Sequence, residues 1–395
     1  MKVLMIEHFL PGSIYTLELT RELKRYCDLT VFCREDAGVQ EEGIRWMPRW
    51  YPGGKTRVGA AFAYGMSLFA LGKMIRGGGF DVVHIQSFKH PGSEIRFYRR
   101  MRRHLKQLVF TVHNVLPHEA GPGDFRLFQG FYKLCDALIV HNEASKQCLM
   151  KRFSLPEQRI AVIAHGVYGT HLERADQPGE GPSRQGIVKE FLQFGFIRAY
   201  KGIDILLEAV AAIRPEQRRF IHVTIAGQQF PKLDKTDYGA KIRELGIEQW
   251  VSFLPGHVPD EKVAGLFQQA DFLLFPYRNI YGSGALMMAY TYGKPVIASD
   301  IPPFLEETDG GKTGILFKSQ DPKALADAII EAAGWEEDRL RACRQAIGRL
   351  AEEKYNWKVS AEKTAGLYAG GTRASQIHKR ERSLYETASV ERVGQ

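Results

Sequence analysis

Arg198 and Lys201 stand three residues apart in Phe194-Gly-Phe-Ile-Arg-Ala-Tyr-Lys-Gly-Ile-Asp-Ile-Leu-Leu-Glu-Ala209. An apolar run that reads as a strand ends near Phe196. A helix begins near Gly202, with Ile203, Leu206, Leu207 and Val210 on one face. Both cations therefore fall in a strand-to-helix loop. An arginine offers a planar bidentate fork and a lysine a mobile point charge, a combination that suits a diphosphate. The same spacing is equally compatible with two solvated loop cations. A second candidate is Gly282-Ser283-Gly284, which follows the strand-like Phe272–Phe275 and opens Ala285-Leu-Met-Met-Ala289. Free amides and the positive end of the helix dipole favour a phosphate there, although an ordinary glycine-rich turn has the same composition.

Other chemistries find no motif. The twelve histidines show no HExxH spacing, and the five cysteines are scattered without a CxxC pair, which argues against a metal centre and a disulfide framework. GxSxG, Walker A and GxGxxG are absent, which argues against a serine hydrolase, a P-loop NTPase and the usual dinucleotide-binding oxidoreductases.

The elements that must position these residues alternate. Val3–Ile6, Leu29–Phe32, Ile44–Met47, Val82–Ile85, Leu108–Val112, Ala137–Val140 and Ile160–Ile163 read as strands in the first half. Phe191–Phe196, His222–Ala226, Val251–Leu254, Phe272–Phe275 and Pro295–Ala298 do so in the second. Continuous Val/Ile/Leu runs separated by helical patterns, such as Gly202–Ile213 and Asp260–Ala270, mark parallel sheets covered on both faces. The fold class is therefore α/β: two doubly wound Rossmann-like domains, with ligands expected at a cleft by the carboxyl ends of the strands. The expected boundaries are an N-terminal domain at 1–174, a Pro/Gly-rich linker at 175–190, a C-terminal domain at 191–370 and a mobile polar tail at 371–395. The last helix is expected to pack back on the first domain.

The net charge of +9 is uneven, with +8 of it in residues 1–190. Arg96, Arg99, Arg100, Arg102, Arg103 and Lys106 form the densest patch. Ile95, Tyr98, Met101 and Leu105 recur at helical spacing within it, so the segment reads as an amphipathic helix with a basic face. Such a face is either solvated or drawn to an anionic membrane surface. Nucleic acid is disfavoured, because no aromatic platform accompanies the charge. The uncharged run Val58–Gly72 falls short of the ~20 residues that span a bilayer, and reads as a buried helix. The amino-terminal apolar run reads as a strand rather than a signal peptide, and the scattered cysteines read as reduced, as expected of a cytoplasmic protein.

Several segments together resemble family 4 retaining glycosyltransferases of the GT-B fold. They are FGFIRAYKGIDILLEA, GSGALMMAYTYGKPVIASD, TVHNVLPHE (Thr111–Glu119), VIAHGVY (Val162–Tyr168) and YNW (Tyr355–Trp357). The resemblance, over roughly Met1 to Tyr368, implies transfer of a hexose-type sugar from a nucleotide-diphosphate donor, with no metal cofactor. Arg198 and Lys201 match the pair that holds the donor diphosphate and stabilises the leaving group. His113 matches a histidine near the donor sugar. Ser283 and Gly284, with Ala285 and Leu286 behind them, match the helix start that meets the donor, and Gly12 in Pro11-Gly12-Ser13 matches a glycine loop near the β-phosphate. The backbone around Gly227 and Leu254–Gly256 matches the nucleobase cradle.

The family's usual glutamate pair would fall at Ile280 and Met288, so this chain resembles a Ser-Gly variant that lacks both. Glu306 and Glu307 are the acidic residues nearby. The implied acceptor is a saccharide, lipid-linked or on a growing surface polysaccharide, and the basic first domain implies peripheral attachment to an anionic inner membrane face. A non-catalytic protein that binds a nucleotide sugar is the alternative, and a GT-B epimerase or phosphorylase a further one.

Overall fold

A computed structural model describes residues 1–370 apart from 11, 36–37, 39–40, 51–55, 118–120 and 170–187. The chain forms two compact units. One comprises Met1–Ala164 with the helix 357–370, and the other His165–Asn356. The expected tail at 371–395, and the expected linker through residue 187, lie outside the described residues.

In the first unit the strands are β1 (Lys2–Ile6), β2 (Asp28–Arg34), β3 (Ile44–Trp50), β4 (Val82–Ile85), β5 (Gln107–Thr111), β6 (Ala137–Val140) and β7 (Ile160–Val162). They form a sheet of order β3-β2-β1-β4-β5-β6-β7 in which every pairing is parallel. In the second unit β8 (Lys189–Phe194), β9 (Ile221–Gly227), β10 (Val251–Pro255), β11 (Phe272–Phe275), β12 (Val296–Ser299) and β13 (Gly314–Phe317) follow. Their order is β10-β9-β8-β11-β12-β13, again all parallel. Strand order reverses at β1/β4 and at β8/β11, and ligands of open α/β sheets bind beyond the carboxyl ends of strands at such a reversal.

The helices are α1 (Ile14–Leu23), α2 (Arg57–Gly77), α3 (Pro91–Met101), α4 (Pro122–Leu134) and α5 (Glu143–Phe153) in the first unit. The second has α6 (Ile203–Ala212), α7 (Tyr238–Glu244), α8 (Asp260–Gln269), α9 (Gly284–Thr291), α10 (Pro302–Glu307), α11 (Pro322–Ala333) and α12 (Glu337–Glu353), besides short turns. Helices on both faces leave VVHI of β4, ALIV of β6 and FLLF of β11 buried along their whole length, which is why these strands read as unbroken apolar runs.

The helix 357–370 belongs to the first unit because its apolar face completes that core. Trp357, Ala361 and Tyr368 pack among Val3, Leu19, Val31, Val109 and Ile139. Each large side chain so buried contributes about 1.5–3 kcal/mol. Tyr368 also hydrogen-bonds His84 Nδ1 at 2.6 Å, and His84 Nε2 meets Thr111 at 2.7 Å. Burial holds His84 neutral, with its pKa pushed down to about 3, so this histidine is a satisfied core residue.

Three expectations change. β8 ends at Phe194, two residues early, because Gly195 takes φ +105° and turns the chain out of the sheet. β13 was missed, since GILF is an edge strand that is only half-buried. The run 58–72 is not a buried helix. It belongs to the 21-residue α2, in which Ser67, Leu71, Gly72 and Ile75 are buried. Val58, Phe62, Met66 and Phe69 face outward instead. α2 is also long and apolar enough to cross a bilayer by length and composition, alone among the described helices.

Candidate functional site

The second unit assembles a cationic turn beside a helix start. After Gly195 the chain passes Arg198 into the single 3-10 turn Ala199–Lys201, and Gly202 (φ +65°) closes the turn and starts α6. A side chain on Gly202 would need a left-handed backbone and would run into the Pro276 carbonyl, so the turn sits directly on the chain leaving β11. At the end of β9, Gly227 (φ +153°) lies as close to the Gly195 carbonyl.

Lys201 is 6% exposed. Its Nζ lies 5.2 Å from the centre of the Tyr277 ring and 3.4 Å from the Phe194 carbonyl. Burial, reinforced by the neighbouring charge of Arg198, pushes its pKa down to about 7. An ammonium held this way gains strongly from an arriving anion.

A residue that sequence reasoning missed holds this turn in shape. Arg278, just past β11, makes a fork to Asp204 (Nη1–Oδ1 3.0 Å, Nη2–Oδ2 2.6 Å) and donates from Nη1 to the Ala199 carbonyl at 2.7 Å. Its backbone amide donates to the Tyr200 carbonyl at 2.8 Å. Burial opposes ionisation of Asp204, but the hydrogen bonds and charge of Arg278 hold its carboxyl below the usual range. The only signal in the sequence was an unassigned Arg in FPYRNIYGSG, 74 positions from its partner.

Arg278 is thus a positioning residue for the pair it brackets. Arg278→Ala is expected to lower kcat by up to about 10²-fold through misplacement of Arg198 and Lys201. Arg278→Lys should recover only part, because one amine cannot replace the fork. Steady-state kinetics with millimolar guanidinium added checks this, since rescue of the alanine variant is the mark of a positioning role.

Ser283 caps α9, accepting the Leu286 amide at 3.2 Å, and is 8% exposed. The first amides of the helix, those of Gly284 and Ala285, precede the intrahelical bonds and present the positive end of its dipole. The Leu286 amide donates to Ser283, and its side chain lies in the core. A Cβ on Gly284 would come within 2.8 Å of the Tyr168 hydroxyl, which also meets His165 Nε2 at 3.2 Å. Tyr277 packs its ring beside the Lys201 ammonium, and its buried hydroxyl makes no hydrogen bond among the described residues.

Beyond β10, a cavity of about 630 Å³ is lined by Leu254, Gly256, His257, Val258, Lys262 and Leu266 among others. That volume is within the range of small-molecule sites. It includes the expected nucleobase segment Leu254–Gly256, while Gly227 carries the amide of Gly256 on its carbonyl at 2.9 Å.

The glutamate-pair positions are apolar in fact as well as in sequence: Met288 is buried in α9 and Ile280 half-buried. Glu306 pairs with Lys354 at 3.5 Å. Glu307 is buried where Tyr290 and Tyr355 donate to its carbonyl at 3.0 and 3.1 Å. Among the described residues, no group of three or more His, Cys, Asp or Glu side chains is placed to hold a metal ion.

Gly12 and His113 belong to the first unit. Gly12 lies in the loop after β1, which turns back through Ser13 N to Phe9 O at 3.1 Å. Buried Glu7, also missed in the sequence, organises that loop by accepting from Phe9 N (2.8 Å), Ser13 Oγ (2.9 Å), Thr16 Oγ1 (2.6 Å) and Ser87 Oγ (2.6 Å). His113 is half-buried, and its Nδ1 meets His141 Nε2 at 3.2 Å. His141 Nδ1 donates to the Ile163 carbonyl at 3.0 Å, and burial keeps that ring neutral with a pKa of about 4. The hydrogen-bond assignment therefore makes His113 Nδ1 a donor and leaves Nε2 as the ring's other polar atom.

Sequence models of two families match the chain. The glycosyltransferase family 4 model matches residues 12–168, and the glycosyl transferases group 1 model matches residues 189–334. The chain belongs to the family 4 glycosyltransferases.

Among curated relatives, a D-inositol 3-phosphate glycosyltransferase of Streptomyces avermitilis is 30% identical over 257 residues, 62% of this chain and 53% of that protein. One of Corynebacterium glutamicum is 27% identical over 240 residues, 59% of this chain and 57% of the relative. The chain thus spans little more than half the length of the curated relatives it matches. Among solved structures, HepE of Anabaena in complex with UDP and glucose has TM-score 0.68 at 17% identity, covering 94% of this chain and all of that one. Sucrose-phosphate synthase of Thermosynechococcus elongatus has TM-score 0.71 at 16% identity, covering 94% and 99%. At these identities the likeness shows the fold, which is GT-B.

Proposed function

We propose that this family 4 protein transfers a sugar from a nucleotide-diphosphate donor to a phosphate-bearing saccharide or polyol acceptor, with retention of configuration. The observation that carries the reading is the buried Lys201, packed on the Tyr277 ring in the turn that begins at Arg198. Two sources of positive charge converge at the carboxyl ends of β8 and β11, where the donor's leaving diphosphate would gain charge. Preorganised charge of that kind is usually the largest catalytic contribution.

In the reaction we infer, the bond from the anomeric carbon to the diphosphate breaks while a bond to the acceptor oxygen forms on the same face. The acceptor's proton passes to the departing diphosphate oxygen. Lys201, Arg198 and the Gly284 and Ala285 amides carry the negative charge that develops, which is the work a metal would otherwise share. Isolation of a covalent glycosyl-enzyme adduct would overturn the single-step course.

The charge excess of the first unit, and the inositol phosphate in the names of relatives, both favour an acceptor that carries phosphate. A lipid-linked acceptor at the cytoplasmic membrane face and a soluble sugar phosphate share that chemistry. Arg96, Arg99 and Arg100 of α3, and Arg103 in the turn after it, would face an anionic bilayer in the first case. Arg102 and Lys106 drop out of the expected patch, because Asp136 and Asp81 pair with them at 2.6 and 2.7 Å.

Thermal unfolding with UDP, GDP, ADP, dTDP and their sugar conjugates tests the donor. The matching nucleotide at 100 times its Kd should add about 2.7 kcal/mol of stability. No shift with any of them would favour a non-catalytic protein, with the apolar Ile280 and Met288 as the reason. With the donor known, transfer to a lipid-phosphate acceptor against transfer to a soluble inositol phosphate separates the two sources.

A further inference from the structure

The outward side of α2 is apolar where a helix on a water-facing surface should be polar. Val58 is 81% exposed, Phe62 72%, Met66 52% and Phe69 62%. These residues follow one another at three- and four-residue steps and form one stripe along three turns. Exposed Lys73 and Arg76 continue the stripe in the last turns. Single exposed apolar residues are ordinary, but a contiguous stripe with two phenylalanines marks a surface that something covers.

The inner side of the helix is already committed. Leu71, Gly72 and Ile75 are buried, and Gly72 lies against Phe97 of α3. Tyr64 stacks on Trp50 with ring centres 5.4 Å apart, and Trp50 in turn packs on His8 at 4.1 Å. A helix fixed along one side to the sheet has only its other side to offer, so it lies along a surface rather than crossing one.

The surrounding charge selects the occupant. No acidic residue occurs in the sequence from Gly43 through Phe80. Exposed Arg45 and Arg49 stand on the neighbouring edge strand β3, and exposed Arg96 and Arg100 on α3 beside it. The one acid of α3, Glu94, is buried against His8 at 2.7 Å, and Asp81 is taken by Lys106. A second copy of this chain laid on the stripe would bring these cations against themselves. An anionic lipid surface satisfies both the apolar stripe and its basic margins.

We propose that α2 is an interfacial helix that seats the first unit on an anionic bilayer. Val58, Phe62, Met66 and Phe69 enter the acyl boundary, and Lys73, Arg76, Arg96 and Arg100 lie at the lipid phosphates. Because Trp50 and Tyr64 connect α2 to His8, four residues before Gly12, the seated helix borders the same end of the sheet as the Gly12 loop. The inference rests on the outward face of α2 and is independent of the glycosyl-transfer reading.

Co-sedimentation of the full chain with vesicles tests it, using equal parts phosphatidylglycerol and phosphatidylcholine, and phosphatidylcholine alone. The wild type is expected on the anionic vesicles and largely absent from the neutral ones. Phe62→Asp/Phe69→Asp should bind the anionic vesicles at least tenfold more weakly. Lys73→Glu/Arg76→Glu should do the same and lose the preference for anionic lipid. Both variants alter exposed side chains, so their thermal midpoints and nucleotide binding should match the wild type, which shows that the chain is folded. Equal vesicle binding by wild type and the Phe62→Asp/Phe69→Asp variant overturns the proposal. So does a wild-type dimer in sedimentation velocity that this variant dissolves while neither binds vesicles, which would assign the stripe to a second copy.

Discussion

Lys201→Ala is expected to lower kcat by about 10²–10³-fold, equivalent to roughly 2.7–4 kcal/mol of lost transition-state stabilisation. The donor KM should rise as well, because the ammonium binds the diphosphate before it leaves and holds it more strongly as it leaves. The side chain lies almost wholly out of water, over Tyr277 and near the Phe194 carbonyl, where a charge interaction is screened far less than at the surface. The same burial makes the ligand-free ammonium costly, so alanine should not destabilise the second unit. Equal or higher resistance to denaturant together with the kcat loss distinguishes a catalytic lysine from a structural one. An unchanged kcat would remove Lys201 from the chemistry.

The second large effect is on pH dependence. The Lys201 pKa of about 7 lies below that of an unfolded lysine, so between pH 7 and about 10 the unfolded chain binds more protons than the folded one. Stability of the ligand-free second unit therefore rises with pH across that window. Donor affinity runs the other way, because the diphosphate prefers the ammonium and binding above pH 7 must take up a proton. With the bound lysine charged throughout, Kd for a nucleotide sugar is expected to rise about fiftyfold between pH 7 and 9. A nucleotide sugar is the right probe, since its diphosphate has no group titrating in that range. Calorimetry in buffers of different ionisation enthalpy counts the proton, and Lys201→Arg should abolish both the uptake and the slope.

Much of the fold was legible because parallel strands buried on both faces announce themselves. Val82–Ile85, Ala137–Val140 and Phe272–Phe275 fall where their apolar runs place them. Edge strand β13 did not, since half-burial leaves no continuous run. The Arg198 and Lys201 loop was legible from strand, cations and helix in succession. What fixes that loop was not, because the Arg278–Asp204 fork joins residues that only the fold brings together. Glu7 was hidden partly for a similar reason, since three of its donors lie just after it but the fourth, Ser87, comes from beyond β4.

α2 misled by composition. Ser67 and Gly72 share its buried side with Leu71 and Ile75, and Gly72 lies against Phe97, while Val58, Phe62, Met66 and Phe69 point outward, so an apolar composition did not tell which side is covered. The basic patch was over-read in the same way, since Arg102 and Lys106 bind acids distant in sequence.

The central claim is that a donor diphosphate is held between the Arg198–Lys201 turn and the start of α9. Calorimetric titration of the nucleotide sugar selected by thermal unfolding, into wild type and into Arg198→Ala/Lys201→Ala at pH 7, tests it most directly. The expected result is one site per chain in the wild type and at least a hundredfold weaker binding in the double variant, with both proteins equally folded. Equal affinity in the two proteins would contradict it and place the diphosphate elsewhere.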